Sequence, residues 1–273
     1  MSAPTERALP RGALIGGAIV ALAIVLVVVV VNAPANWLAR YVEARSAGHV
    51  VLADAQGTVW SGSAVLAFAG TPIGREPPDP ATAERLALPG RVIWTLETAR
   101  GLAPVLHLTH DAVLLQPVSL RPVGSDIAID AGTATLPVAL LRLAGSPFNT
   151  LQADGRITMR WDALRWTPDG AVIGAGTMTV ADLAVAVSPV RPLGDYRVTW
   201  TGAADGVRWT LATDRGPLAL TGSGRIGRPM SVRVVVRAAA DATPAMAARL
   251  GPLLDAIGRR SPNEAVFEMG RTF

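Results

Sequence analysis

The hydrophobic pattern changes character once along the chain. From Ala13 to Val31 nineteen consecutive residues carry neither a charge nor a polar side chain. As a helix, at about 1.5 Å rise per residue, this run is roughly 28 Å long, close to the ~30 Å hydrocarbon core of a bilayer. Its second half is β-branched (Ile24, Val25, Val27 to Val31). That counts mildly against a helix in water but not in lipid, where a spanning segment must satisfy its backbone internally. Two readings compete. Ala33-Pro-Ala35 loosely resembles the cleavage site of a signal peptide. The apolar region of a signal peptide, however, usually runs 7 to 15 residues, and this run is longer. The length favours an uncleaved anchor over residues 13–33, with Ala13, Leu14, Ile19, Val20, Leu22 and Val31 among its spanning positions. Arg7 and Arg11 precede the run, and Arg40 and Arg45 follow it at a distance. Together with the short head (1–12), this orients the N-terminus to the cytoplasm and the body outward. In a cell with two membranes, that means an inner-membrane protein with a periplasmic body.

A juxtamembrane segment (34–48) follows, read as a short helix from Asn36 to Ala47, with Trp37, Leu38, Tyr41 and Val42 on its apolar side and Gly48 as its stop. Trp37 and Tyr41 stand where an interfacial aromatic belt is expected. Beyond it the period becomes two. Trp60, Gly62, Ala64, Leu66 and Phe68 alternate with Val59, Ser61, Ser63, Val65 and Ala67, and the first set carries the heavier apolar groups. This predicts a β-hairpin whose Trp60 face packs on a core. Trp60→Ala should then cost on the order of 3–5 kcal/mol. Gly57 and Gly62 mark positions of turn, bulge or close backbone approach.

Residues 71–89 hold five prolines among scattered charges and read as an exposed loop. Strand-like runs then recur between turn signals: Arg91 to Glu97, Val105 to Thr109, Val113 to Leu120, Ile127 to Thr135, Gly155 to Trp161, Ala171 to Val187, Asp195 to Thr201, Val207 to Thr213, Pro217 to Arg225 and Met230 to Ala238. Thr167-Pro-Asp-Gly170 and Ala204-Asp-Gly206 are turns by their chemistry. Leu136 to Ala144 reads as a short helix, and Thr243 to Ile257 as a longer one, capped by Thr243 with Pro244 in its first turn. The expected fold is mainly β: one periplasmic, antiparallel, open and curved sheet (49–273) with two or three short helices behind a single transmembrane helix.

Composition narrows the chemistry. The chain has 273 residues and no cysteine, which excludes disulfides, thiolate metal sites and cysteine nucleophiles. Every basic residue is arginine, and the net charge is +4. The arginines are scattered as solvated faces, with no block that would suggest nucleic-acid binding. His107 and His110 lie three apart beside Asp111. On a strand that odd spacing sends them to opposite faces, so no metal site is expected. Gly222-Ser-Gly-Arg-Ile-Gly227 matches a dinucleotide fingerprint literally, but a strand, not a helix, follows it. No nucleophile elbow and no phosphate-binding lysine occur. The reading is a non-enzyme without cofactors.

Three segments share a Trp near the centre of an alternating strand: Gly90-Arg-Val-Ile-Trp-Thr-Leu96, Tyr196-Arg-Val-Thr-Trp-Thr201 and Gly206-Val-Arg-Trp-Thr-Leu211. Gly57-Thr-Val-Trp-Ser-Gly62, Ile93-Trp-Thr-Leu96, Pro192-Leu-Gly-Asp-Tyr-Arg197, Gly206-Val-Arg-Trp-Thr-Leu211 and Gly216-Pro-Leu-Ala-Leu-Thr-Gly222 in this order behind a single span resemble the type II secretion system protein N family. The resemblance implies an inner-membrane accessory component of the machinery that exports folded proteins across the outer membrane, in contact with other secretion proteins and without catalysis. It makes Gly57, Trp60, Gly62, Trp94, Trp209 and Gly216 the candidate structural or interaction residues. The β-rich body also resembles the groove-forming sheets of AsmA-type envelope proteins, which implies an alternative: a β-groove that binds or passes lipid.

Overall fold

Strand pairing follows chain order almost throughout. The computed structural model describes residues 25–70, 85–98, 103–144, 152–227, 229–257, 259–261 and 264–270. Within them, β1 (Val50–Gly57) pairs with β2 (Ser61–Ala69). The other edge of β2 is shared in tandem by β3 (Arg85–Ala87) and β4 (Val92–Glu97). Next come β5 (Val105–His110), β6 (Val118–Val123) and β7 (Asp126–Ile129). β7 and β8 (Gly132–Pro137) form one interrupted line, as do β9 (Asp154–Trp161) and β10 (Leu164–Trp166). β7 pairs with β10, and β8 with β9. The ladder continues through β11 (Val172–Ala184), β12 (Gly194–Ala203), β13 (Gly206–Arg215), β14 (Leu218–Ile226) and β15 (Ser231–Ala238). Last come β17 (Glu264–Gly270) against β15, and β16 (Arg259–Ser261) against β17. Every pairing is antiparallel, and β1 and β16 form the two edges among the described residues. The expected open antiparallel sheet is therefore present.

One face of this sheet carries most of the buried apolar groups, and three helical pieces lie on it. α1 (Ala35–Arg45) places Ala35 and Leu38 over Ala64, Trp94, Leu106 and Leu108. A 3-10 helix (Val138–Ala144) packs Val138 and Leu141 near Ile157, Val180 and Tyr196, and Leu140 near Leu66, Phe68 and Trp161. α2 (Pro244–Ile257) brings Leu250, Leu253 and Leu254 onto Leu193, Leu218 and Val236. Thr243 caps α2 as its sequence predicts, its Oγ1 accepting from the Met246 N–H at 3.2 Å. The opposite face is polar. Arg197, Arg208, Thr210 and Arg233 project from neighbouring strands there and are exposed.

Several expectations change. Residues 71–84 of the expected proline-rich loop lie outside the described residues, but its end is not loop: β3 pairs with β2, and Leu88 is buried among Leu66, Phe68 and Val113. Three apolar residues within Arg85–Leu88 were enough for strand once β2 offered a free edge. Val113 to Leu120 is not one strand. Residues 111–117 turn, touching β8 through a single bridge at Leu114 and Ala134, and β6 begins at Val118. Ile127 to Thr135 is broken at residues 130–131, where the line passes from β10 to β9. The sequence reading did not anticipate β10, β16 or β17.

The head (1–12) and Ala13, Leu14, Ile19, Val20 and Leu22 of the expected anchor lie outside the described residues. Its end, residues 25–31, is helical with exposed side chains, including Val31. Among the described residues no helix is long and apolar enough to cross a membrane.

Candidate interaction surface

The Gly57–Gly62 motif joins the apolar helical segment to the sheet. Gly57 has φ +86° and closes the β1–β2 turn opposite Gly62. Thr58, Val59 and Trp60 form the turn itself. Trp60 is therefore not a core-facing strand residue. It precedes β2, and its half-buried indole Nε1–H donates to the Val30 carbonyl at 2.8 Å. A helix leaves its last carbonyls without intrahelical partners. Here Val28 O accepts from the Asn32 backbone N–H (3.0 Å) and its Nδ2 (2.8 Å), and Val30 O accepts from Ala33 N–H (3.3 Å) as well as from Trp60. Val59 N–H then donates to Ala33 O at 2.9 Å. On the other side the turn is fastened to the core. Trp94 Nε1–H reaches both the Thr58 and Val59 carbonyls at 3.2 Å, and Leu96 N–H donates to Trp60 O at 2.7 Å. Strict alternation put Trp60 on the core face. β2 begins only at Ser61, two residues beyond the Val59 start that the alternation implied, so Trp60 falls in the turn.

A second node joins two of the other motifs. Tyr196 is buried, and its hydroxyl lies 3.1 Å from Leu193 O and 3.0 Å from Leu218 O, so it bonds to one residue of each motif. Leu218 N–H donates to Leu193 O at 3.2 Å. Gly216 and Gly194 approach so closely that a Cβ on Gly216 would strike Gly194. Asp195 accepts from the Asp182 N–H at 2.8 Å and pairs with Arg215, and these bonds hold its carboxyl below the usual range, the backbone bond first. Burial raises the Tyr196 hydroxyl well above its ordinary pKa. It therefore stays a neutral donor.

Trp94 and Trp209 belong to a repeated arrangement. Gly132, Trp161, Gly176, Trp200, Trp209 and Gly224 stand in register across β8, β9, β11, β12, β13 and β14. In each Gly–Trp pair the indole covers the glycine. A Cβ on Gly176 would lie 2.5 Å from Trp200 Cζ2, and one on Gly224 2.6 Å from Trp209 Cζ2. Gly62 and Trp94 repeat it at 2.5 Å nearer the N-terminus. The three tryptophans of the long row are only half-buried, because the helical pieces cover other parts of the face.

Among the described residues the polar groups do not converge. His107 Nδ1 lies 3.1 Å from Ser119 Oγ, while His110 is buried, so the two histidines fall on opposite faces. Among the described residues no three metal-type side chains cluster. A cleft of about 440 Å3 lies beside Asp154, Arg156 and Asp182, and no histidine lines it. Gly222 and Gly224 lie inside β14 and Gly227 just past its end, where there is no helix N-terminus for a pyrophosphate.

Comparison with known proteins adds one match. The family model for type II secretion system (T2SS), protein N, matches residues 48–266. No curated protein and no solved structure matches. The match runs from just past α1 into β17 and takes in the Gly57–Gly62 turn, the Tyr196 node and the whole glycine–tryptophan row. The chain belongs to the type II secretion system protein N family.

Proposed function

We propose that this protein is an inner-membrane accessory component of the type II secretion system. In this reading residues 13–31 cross the membrane once, the head is cytoplasmic, the sheet is periplasmic, and the protein acts by contact with other secretion components and not by catalysis. The observation that carries it is the family match over 48–266, which gives involvement in type II secretion. The uninterrupted apolar run and the bonding of its helical end to the sheet support the membrane placement. The scatter of polar groups supports a contact role. The test is to isolate the tagged full-length chain from membranes and identify what accompanies it, alongside export in a deletion strain. Enrichment of secretion components with impaired export is expected. Their absence, with normal export, would end the proposal.

A second reading has one specific observation in its favour. The sheet is a single layer, and beyond its helical cover Met159, Val198, Trp200 and Trp209 stay half-buried on its apolar face, next to the half-buried Trp161 and Met178 at the margin of the 3-10 helix. These residues lie on four neighbouring strands, roughly 14 Å across at ordinary strand spacing. Such a trough suits lipid or another hydrophobic chain. Mass spectrometry of the detergent-extracted protein would show bound lipid above controls in that case, and none otherwise.

A further inference from the structure

α1 has two faces of different kinds. Ala35 is 1 % exposed, and Leu38 and Val42 are half-buried, so this side packs on the sheet. The other side carries Trp37 (53 % exposed), Tyr41 (63 % exposed), Ala44, Arg40 and Arg45. Trp37 and Tyr41 are four apart and share one stripe. Neither arginine has a hydrogen bond or ion pair among the described residues. A patch of large aromatic groups turned out to water and rimmed by cations marks an interaction surface. It suits the boundary of a bilayer, where aromatic rings sit at headgroup level and arginine meets lipid phosphate.

Position in the chain selects this occupant over others. The apolar helical segment ends at Val31, four residues before α1 begins. Four residues reach at most about 14 Å, and the reach is not free. Trp60 holds Val30, and Val59 holds Ala33, so the end of the apolar helix and the start of α1 are tied to one turn. Tyr41, Val42 and Arg45 also line a cleft of about 580 Å3 with Ile127, Trp166 and Pro168, and Trp166 is itself 44 % exposed. The aromatic stripe thus continues from α1 onto the sheet. We propose that the outer face of α1, extended by Trp166, is a bilayer-docking surface. Trp37 and Tyr41 seat among the headgroups, Arg40 and Arg45 bind lipid phosphates, and the sheet is held against the membrane at a fixed attitude.

This rests on the reading that residues 13–31 span the membrane, and the test separates the two. The absence of cysteine allows single nitroxide labels on the full-length chain without competing sites. Val28→Cys reports on the apolar segment, Ala44→Cys on the outer face of α1, and Ala212→Cys on the exposed polar face of β13. The protein is reconstituted into phosphatidylethanolamine–phosphatidylglycerol vesicles, and each label's collisions with oxygen and with a water-soluble nickel chelate are measured. The expected order is Val28 in lipid, Ala44 at interfacial depth and Ala212 in water. In the Ala44→Cys chain, adding Trp37→Ser and Tyr41→Ser should shift the label toward the Ala212 value. Val28 in lipid with Ala44 as aqueous as Ala212 would overturn the docking surface and leave the span intact. Val28 in water would remove the span and the docking surface with it. Ala44 shielded from both reagents would mean that protein covers α1, and would also overturn the proposal.

Discussion

The indole of Trp94 lies across Gly62, its register partner on β2, leaving no room there for a side chain. A Cβ on Gly62 would meet Trp94 Cζ2 and the Gln56 carbonyl oxygen at 2.5 Å each, and the Thr58 oxygen at 2.9 Å. The indole can swing away, but the backbone oxygens cannot move without opening the β1–β2 turn. Gly62→Ala is therefore expected to destabilise the protein even in a Trp94→Leu background. Trp94 is 2 % exposed, so Trp94→Ala should cost about 3–5 kcal/mol through the cavity it leaves. Denaturant unfolding of the full chain in detergent measures both. A Gly62→Ala protein of ordinary stability would show that the turn yields.

The sequence revealed that glycine and tryptophan both mattered, but not that they mattered to each other. Alternation gave the strand around Trp94 and those around Trp200 and Trp209, because a half-buried sheet imposes period two. Pairing Trp200 with Gly176 needs the register of β11 and β12, set by the hairpin between them and by a bulge at residues 180–183. No single-strand pattern contains that register. The same gap hid β17. Its residues alternate weakly, and the free edge of β15 that recruits them lies some thirty residues upstream. Trp60 failed in another way. Its type fitted a core strand, and only the turn geometry turned its N–H toward Val30. The Thr243 cap of α2 and the Thr167–Gly170 turn were legible because their chemistry is local.

Trp60 should behave as a tether and not as a core residue. Trp60→Phe keeps an aromatic ring and removes the donor to Val30. The net loss should be about 0.5–1.5 kcal/mol, the usual contribution of one hydrogen bond. Amide exchange at residues 31–33 should quicken, while exchange in β12 and β13 stays unchanged. A loss of 3 kcal/mol or more would return Trp60 to the core.

Tyr196 sustains the node between the Leu193 and Leu218 segments. In Tyr196→Phe the ring still fills its site, but the single hydroxyl proton shared by the Leu193 and Leu218 carbonyls is lost; Leu193 O keeps the Leu218 N–H, so the loss falls on the Leu218 carbonyl. The expected cost is about 1–3 kcal/mol, the usual penalty for buried polar groups left unpaired. Gly216→Ala should be worse, since the added carbon would meet the Gly194 backbone. Thermal unfolding of both variants should rank Gly216→Ala below Tyr196→Phe.

His110 makes stability depend on pH in a window of its own. It is 2 % exposed, its Nδ1 accepts from the Ala112 N–H at 3.3 Å, and its Nε2 has no partner among the described residues. Burial lowers its pKa below the ordinary histidine value, against a smaller opposing pull from Asp111. The unfolded chain takes up this proton near pH 6.5, the folded chain only at lower pH. Between those points the unfolded state holds more protons, so stability falls as pH falls. It is full above about 6.5 and lost on descending toward the folded value. The carboxylates with lowered pKa values, Asp54 and Asp195, lose their contribution only near and below the ordinary carboxylate range, so they leave this window clear. The unfolding midpoint of the native chain should therefore drop between pH 7.5 and 5.5, and His110→Leu should flatten that drop. An equal drop in both proteins would assign the pH response to other groups.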